Sequence, residues 1–422
     1  MNVNEQEQFR KMRLDEFLAN QSIYDRKERE SFTKNNTVVF KRAFVSLCAE
    51  NFVEANVIAK KYRKFWRKWL LMLLYAEFVH WCYLNKKAVP KNEQFMAVFG
   101  SSAKKQNEYA QKVFEKLPKN KNAAKSYAKF EEFKRAEKEY SVYNIKNIAV
   151  CATMSAGKST FVNALLGRDV LPARNEPTTA KITSVYDKDG AVKMIGYAVK
   201  NGEIAEQSTD VTLEVIDKWN SSNNLERIYL QGDLDGIKNN GFVVAVHDTP
   251  GTNNSGDKSH HDVTMDFLQK NKMDALIFVA NATQLCTNDE RILLVELLNK
   301  VVKPSNLPVI FILNKADELD EEKESISDIQ KRYAEYLEEI GFVEPKIFPL
   351  SAKAARLLKM AKNGRAENLT AREKRDLKSA IAEFTGLHDF SCGVSQNCDS
   401  EIEIALLRSG LQNVEKYIES LF

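Results

Sequence analysis

The stretch CATMSAGKSTF, residues 151–161, matches the phosphate-binding loop pattern G-x-x-x-x-G-K-[ST] at every fixed position except the first. Ala152 stands where the first glycine is expected, whereas Gly157, Lys158 and Ser159 are in register. The loop lies between an apolar run, NIAV, and a helix-like run, FVNALL. Backbone N–H groups at a helix N-terminus bind phosphate oxygens, so we expect a bound nucleotide. The Lys158 ammonium would reach its β- and γ-phosphates and the Ser159 hydroxyl would bind Mg²⁺.

Two motifs downstream are typical of the segments that respond to a γ-phosphate. The sequence NEPTTAKIT contains Thr178 and Thr179, either of which could complete the coordination of Mg²⁺ with its hydroxyl. The sequence DTPG, residues 248–251, follows the apolar run GFVVAVH. We expect Asp248 to hold the metal through water and the amide of Gly251 to contact the γ-phosphate.

Two further motifs predict the base. NKAD, residues 314–317, follows the apolar run VIFIL, and SAK, residues 351–353, follows KIFPL. A carboxylate at Asp317 can accept hydrogen bonds from N1–H and the exocyclic amine of guanine, whereas adenine offers neither donor there. Leaving such an acceptor unpaired is costly, so the motif predicts GTP rather than ATP. Backbone amides of the SAK segment are expected to contact the base.

The pattern of residues changes after Tyr143. Residues 1–142 carry apolar residues at helical spacing and have no glycine before Gly100, which predicts an all-helical region. From 143 to 422, β-rich runs alternate with helical segments, which predicts an α/β fold with a mainly parallel sheet covered by helices on both faces. The β-rich runs are NIAVCAT, KITSVY, GFVVAVHD, DALIFVANA, LPVIFILN and KIFPLSA.

Two segments interrupt this alternation. The first, about 188–240, contains the predicted hairpin strand AVKMIGYAV and a predicted helix at 211–222. The second, about 354–409, follows SAK and is expected to be a loop-rich insertion. The predicted organisation is therefore a helical region, 1–142, followed by a P-loop nucleotide-binding domain, 143–422, with two insertions.

These motifs together resemble the dynamin superfamily, especially its bacterial dynamin-like proteins. The residues that carry the resemblance are MSAGKSTFVNALLG, LPARNEPTTA, DTPGTNNS and NKAD, with ANATQLCTNDERILL before the last of them. The resemblance covers about residues 143–422. It departs from the better-known members at Ala152 and at Met154, where eukaryotic dynamins carry glutamine. The chain is also expected to lack the C-terminal stalk of those members.

The resemblance implies roles for individual residues. Ser155 is expected to help position a monovalent cation, K⁺ or Na⁺, that stabilises charge on the phosphates, and Thr179 is favoured over Thr178 as the switch threonine. The catalytic candidates are therefore Ser155, Lys158 and Thr179, and the Mg²⁺ ligands are Ser159, Thr179 and Asp248. The residues expected to bind GTP or GDP are Met154, Ser155, Ala156, Gly157, Lys158, Ser159, Thr160, Gly251, Asn314, Lys315, Asp317, Ser351, Ala352 and Lys353. Turnover should rise when two such domains pair, as a homodimer or with a second dynamin-like protein.

Charge is divided unevenly between the two parts of the chain. Residues 1–143 contain 29 Lys and Arg against 17 Asp and Glu, whereas the remainder contains 33 against 41. A basic region favours an anionic partner, either a membrane surface or nucleic acid. No RNA-binding module is recognisable, so the membrane is favoured; the alternative is a GTPase switch that docks on RNA, a ribosome or a protein.

The basic residues are densest at KKYRKFWRK, residues 60–68, which precede the apolar run WLLMLLYAEFVHWCYL, residues 69–84. This run is shorter than the roughly 20 residues that span a bilayer. Residues 70–84 are therefore predicted to form the core of a helical bundle, with the basic turn facing lipid or a partner. The expected location is the cytoplasm, peripherally on the inner face of the cell membrane, since the six cysteines show no paired spacing and no signal peptide is visible.

Overall fold

The chain divides into two compact units, residues 1–142 and residues 143–422. A computed structural model describes residues 5, 8–10, 12–13, 43–44, 46–48, 50–60, 74–75, 78, 82, 90, 93–99, 135–136, 139–140, 143–153, 155–172, 181–250, 258–320, 325–392 and 398–422. All statements below concern these residues.

The described part of the first unit is helical. Helix α1 spans Phe52–Ala59 and helix α2 spans Glu93–Phe99. Their aromatic side chains pack edge to face, with the ring centroids of Phe52 and Phe95 5.6 Å apart. Leu74, Tyr75, Phe78 and Cys82 are buried, as the bundle-core interpretation requires of these four. The basic segment 61–68 lies outside the described residues. The apolar spacing of the sequence also predicts helices at about 102–117 and 121–140, of which only residues 135–136 and 139–140 are described, and these are helical.

The second unit is built on a sheet of nine described strands, in the order β4-β3-β5-β2-β6-β1-β7-β8-β9. Strand β1 pairs in parallel with β6 and β7, and β7, β8 and β9 continue the parallel arrangement. The predicted mainly parallel sheet is confirmed. The strands are β1 (Asn144–Ala152), β2 (Ile182–Asp187), β3 (Ile195–Lys200), β4 (Glu203–Ser208), β5 (Arg227–Gly232), β6 (Phe242–Asp248), β7 (Ala275–Asn281), β8 (Val309–Asn314) and β9 (Lys346–Leu350).

Helices cover both faces of this sheet, because alternate residues of the central strands belong to two different apolar cores. Ile148 and Val150 pack in one core, and Ala149 and Cys151 pack in the other. Helices α3, α4 and α8–α11 lie on the first face, and α5–α7 lie on the second. The helices are α3 (Lys158–Leu166), α4 (Leu213–Ser221), α5 (Lys258–Lys270), α6 (Asn288–Leu297), α7 (Ile326–Ile340), α8 (Ala352–Lys362), α9 (Ala371–Gly386), α10 (Glu401–Arg408) and α11 (Leu411–Ser420).

The segment 354–409, expected to be loop-rich, is mostly helical, and this expectation is wrong. It contains most of α8 and the whole of α9 and α10. Helix α9 begins with a capping box, in which the Thr370 hydroxyl accepts from the amide of Glu373 and the Glu373 carboxylate accepts from the amide of Thr370. Its buried residues are few, Leu377, Ala380 and Phe384, because the helix lies on the surface. A helix that buries so narrow a stripe has a weak apolar signal in sequence.

The segment 188–240 extends the sheet on one side. The predicted hairpin strand is β3, and the predicted helix is α4. Strands β4 and β5 were not expected from the sequence. Strand β2 runs antiparallel to β6, with Thr183 opposite Asp248, so the chain enters β2 at the edge where it leaves β6.

No helix among the described residues is both long and apolar enough to cross a bilayer.

Candidate functional site

The sequence motifs meet at one edge of the sheet. Strands β1, β6, β8 and β9 are parallel, so their C-terminal ends lie at the same edge. The phosphate loop follows β1, the DTPG segment follows β6, NKAD begins at the end of β8, and SAK follows β9. Ligands of open α/β sheets bind at this edge.

The structure accounts for the missing first glycine of the loop. Ala152 is the last residue of β1, is buried, and pairs with Val279 of β7. A residue that continues a strand needs no left-handed conformation, so alanine is tolerated there. Gly157 has a φ of +89°, and a Cβ there would collide with the side-chain amide of Asn314. Glycine is thus required at position 157 for two reasons: its backbone is left-handed, and the Asn314 side chain leaves no room for a Cβ.

Ser155 also has a left-handed backbone, with a φ of +60°. Serine adopts this conformation less readily than glycine does, because its Cβ crowds the following carbonyl. Its side chain is exposed at the start of the loop. Residues with a strained backbone are common at functional sites, so the Ser155 hydroxyl is a candidate for contact with a ligand.

The phosphate end of the site contains a buried ion pair. The ammonium of Lys158 contacts the carboxylate of Asp248, and both side chains are buried. The Ser159 hydroxyl lies 3.4 Å from the other oxygen of Asp248. A hydroxyl beside a carboxylate is a hard oxygen donor set of the kind that Mg²⁺ prefers, so these residues fit that metal. Thr249 donates a hydrogen bond of 2.8 Å to the carbonyl of Val150, which fixes the DTPG segment to β1.

His247 holds the strand that ends in Asp248. Its Nδ1 lies 2.9 Å from Ser184 Oγ in β2, and its Nε2 lies 3.1 Å from Asn147 Oδ1 in β1. Burial lowers the pKa of His247 to about 3, and the charge of Arg227 contributes. The ring is therefore neutral at physiological pH, and its role is to hold three strands in register.

Asn314 connects the base-binding motifs to the phosphate loop. Its side-chain amide donates a 2.7 Å hydrogen bond to the carbonyl of Ala156, and its Oδ1 accepts a 2.9 Å hydrogen bond from the amide of Ala352. The amide of Ala352, expected to face the base, is therefore engaged by Asn314. Ser351 caps α8 by accepting from the amide of Ala354.

A cavity of about 530 Å³ opens beside these loops. One wall carries predicted residues: Gly157, Thr160, Asn314, Lys315, Asp317, Ser351 and Lys353. The Oδ1 atom of Asp317 is buried and has no hydrogen-bond partner in the described part of the chain. It is positioned by the 3₁₀ turn Ala316–Glu318, which follows a left-handed Lys315 with a φ of +63°. The cavity thus contains an acceptor that a donor of the ligand can satisfy.

The other wall was not expected from the sequence. Asp169, Arg356, Arg372 and Glu373 line it. Arg356 donates to Asp169 at 2.5 Å and to Glu373 at 2.7 Å, which joins the segment after α3 to helices α8 and α9. Charged residues so far apart in sequence form no local motif, so no signal in the sequence alone could have found them.

Four of the predicted site residues lie outside the described part of the chain. They are Met154, Thr178, Thr179 and Gly251. Their expected roles stay predictions.

A phosphate loop between β1 and α3, an aspartate at the end of β6 and an NKAD motif at the end of β8 define a P-loop GTPase domain. Residues 148–316 match the model of the Dynamin family. The matched segment lies within the second unit, and the match supports a GTPase domain of the dynamin superfamily, of the kind found in bacterial dynamin-like proteins. This confirms the resemblance noted in the sequence.

Individual relatives are distant. The chain is 27% identical over 304 residues to a Caldicellulosiruptor protein named for the xynA 3′ region, an alignment that covers 67% of this chain and 71% of that one. It is 24% identical over 197 residues to the bacterial dynamin-like protein of Nostoc punctiforme, covering 44% of this chain but only 27% of the relative. A solved structure of an oligomerised bacterial dynamin pair, described as sensing and tethering membranes, aligns with a TM-score of 0.40 and 18% identity, covering 83% of this chain and 58% of that one.

Proposed function

We propose that this protein binds GTP with Mg²⁺ and hydrolyses it to GDP and phosphate. The observation that carries the proposal is the double hydrogen bonding of Asn314, which ties the phosphate loop to SAK through Ala156 and Ala352. One nucleotide could then be held at both ends by a single rigid unit. Preorganised loops of this kind lower the entropic cost of binding and orient the phosphates for attack.

Asp317 supports guanine as the base. Its buried Oδ1 has no partner among the described residues, and guanine offers two N–H donors at the matching edge. Adenine would leave this acceptor unpaired, which costs about 1–3 kcal/mol for each buried group. Lys315 and the backbone around Ser351 would complete the pocket for the base.

The phosphate end supports hydrolysis. When GTP binds, Lys158 would exchange its contact with Asp248 for the β- and γ-phosphates. Ser159, Asp248 and Thr179 would then hold Mg²⁺, which supplies charge stabilisation to the phosphates. The hydroxyl of Ser155, exposed at the head of the loop, would bind a monovalent cation that offsets developing charge.

Pairing of two GTPase domains and action at a membrane belong to the same proposal. The position after DTPG is Thr252 rather than the glutamine of small GTPases, so a second domain is a reasonable source of the missing stabilisation. The excess of Lys and Arg in residues 1–143 supports attraction to anionic lipid, at about 1 kcal/mol per charge near the surface.

The nucleotide proposal is tested by replacing Lys158. Lys158→Ala should abolish tight binding of a fluorescent GTP analogue and release of phosphate from GTP. Lys193→Ala, which removes a half-exposed ion pair with Asp210, should leave both unchanged. If the unmodified protein binds ATP as well as GTP, guanine specificity is wrong.

The membrane proposal is tested by flotation with anionic vesicles. A variant with Lys60, Lys61, Arg63 and Lys64 replaced by glutamate should float less than the wild type while its circular dichroism is unchanged. Equal flotation would exclude this surface as the lipid contact, and competition by RNA would favour the alternative, a GTPase switch that docks on RNA.

A further inference from the structure

The cavity beside the base-binding motifs extends from the phosphate loop to the part of the site that would hold the nucleoside. Its described lining includes Gly157 and Thr160 at the phosphate loop and Asn314, Asp317 and Ser351 at the base-binding motifs, but not Lys158, Ser159 or Asp248, which would hold the β- and γ-phosphates and Mg²⁺. Whatever else faces this cavity is therefore placed to meet the base or the ribose, provided that GTP binds as proposed above.

Helix α9 supplies the far wall, and several contacts fix its position. Glu373 accepts from Arg356 at 2.7 Å and from the amide of its N-cap, Thr370, at 2.9 Å. Burial would raise the pKa of Glu373, but these hydrogen bonds outweigh it and lower the pKa to about 2. One turn further on, Asp376 pairs with Lys353 of the SAK segment at 2.7 Å. The first two turns of α9 are thus attached to α8 and to the SAK segment, which is expected to bind the base.

Arg372 lies in this first turn and lines the cavity. Its side chain is exposed, and within the described part of the chain it makes no hydrogen bond or ion pair of its own; Asp376, four residues on, is its electrostatic neighbour. The other two cations on this side are engaged, Lys353 by Asp376 and Arg356 by Asp169 and Glu373. Arg372 therefore presents a guanidinium whose donors are available to a ligand.

The chemistry of guanosine matches such a group. O6 and N7 of guanine are acceptors that one guanidinium can bind at the same time. The face of the guanine ring also attracts a cation, and the ribose hydroxyls can accept hydrogen bonds. Asp317 would bind the donor edge of the base, so Arg372 would add an acceptor-facing contact from a separate helix.

We propose that Arg372 is a further nucleotide-binding residue, which contacts the guanosine part of GTP and GDP rather than the phosphates. The proposal rests on the proposed GTP binding. It assigns to the helical segment after SAK a direct part in holding the nucleotide.

The test is a comparison of two matched substitutions in α9. Arg372→Gln should weaken binding of GTP and of GDP by the same factor, about 10-fold for a charge-assisted hydrogen bond. Arg375→Gln removes another exposed arginine of the same helix that does not line the cavity, and it should change neither affinity. Affinities are measured by displacement of a fluorescent GDP analogue, with thermal unfolding as a check on folding.

Four outcomes separate the possibilities. Equal losses for GTP and GDP with Arg372→Gln alone support the contact with guanosine over one with the γ-phosphate. A loss of affinity for GTP only would mean that Arg372 contacts the γ-phosphate. Equal changes of affinity in the two variants would mean that Arg372 does not contact the nucleotide. Either result overturns the inference but not the proposal that the protein binds GTP. If the wild type binds neither nucleotide, the proposed function fails together with the inference.

Discussion

Asn314 and Ala156 are 158 residues apart in the chain, yet the side-chain amide of Asn314 donates a 2.7 Å hydrogen bond to the carbonyl of Ala156. The contact is buried, and the same asparagine blocks any side chain at Gly157. Asn314 therefore holds both the phosphate loop and the base-binding loop in place. A substitution of Asn314 should weaken contacts with the phosphates and with the base of a nucleotide.

Asn314→Ala should weaken GTP and GDP binding about 100-fold, because two buried hydrogen bonds are lost at about 1–1.5 kcal/mol each. Asn281→Ala is the matched control. Asn281 is also buried, ends the neighbouring strand β7, and its side chain accepts hydrogen bonds from Thr283 of its own loop. Isothermal titration of both variants should show a loss for Asn314→Ala alone; equal losses would mean that general instability is the cause.

Asp317→Asn should shift the preference from GTP towards xanthosine triphosphate, because the new amide can donate to the C2 carbonyl of xanthine. We expect GTP affinity to fall by at least about 100-fold, since a site built for one hydrogen-bonding pattern rejects the other strongly. Competition binding with both nucleotides measures the shift. If the Asp317→Asn variant still prefers GTP, the buried Oδ1 atom of Asp317 does not contact the base.

The role of Ser155 can be separated from its backbone strain by two substitutions. Ser155→Ala removes the hydroxyl and keeps the strained φ, whereas Ser155→Gly removes both. If the hydroxyl helps hold a cation, both variants should bind GTP normally and turn over about 10- to 100-fold more slowly. Rates are compared in potassium and in a large organic cation; a wild-type rate that does not respond to this exchange would exclude the cation.

Lys359 of α8 and Glu415 of α11 form a buried ion pair at 2.6 Å. Lys359 also donates to the carbonyls of Leu165 and Leu234. Lys359→Met should lower the free energy of unfolding by about 3–5 kcal/mol, because it leaves a buried carboxylate uncompensated. Lys362→Met, an exposed position of the same helix, should change it by less than about 0.5 kcal/mol in urea unfolding.

Glu290 predicts a pH dependence of stability. It is 1% exposed and accepts a 2.7 Å hydrogen bond from Tyr333, and burial raises its pKa from 4.5 to about 7. The stabilisation that the neutral Glu290 side chain gives the folded protein is therefore complete below pH 4.5. It is lost as the pH rises through 7, because the folded protein must then bury a charge. Between about pH 5 and about pH 8.5, the free energy of unfolding of the wild type should fall by about 2 kcal/mol more than that of Glu290→Gln.

Urea unfolding at several pH values measures this difference. Glu338→Gln, an exposed substitution in α7, is the control and should follow the wild type. Parallel pH profiles for the wild type and Glu290→Gln would show that this carboxyl does not titrate near neutrality.

Much of the fold could be predicted from the sequence, because six neighbouring strands of the sheet, β2, β6, β1, β7, β8 and β9, are β-rich runs, most of them followed directly by a motif. Strand β4 could not, since its residues are largely exposed and carry no alternating pattern. The loops of the site could be predicted because each motif is local. The wall formed by Asp169, Arg356 and α9 could not, because only the folded chain brings these residues together.

Among the described strands the sheet ends at β4, which is largely exposed and pairs on one side only. The edge strand of a sheet is a place where a strand of another molecule can add to the sheet. Two features oppose such growth. Strand β4 carries Glu203 and Glu206, and the ladder shifts register between Ala198 and Val199. An approaching strand would have to remove water from the Glu203 carboxylate and break or avoid the hydrogen bonds that Glu206 accepts from Lys218 and Trp219. It would also have to pair with an irregular ladder. Crowded copies of this protein should therefore resist amyloid-like stacking through this border, and should associate through other surfaces.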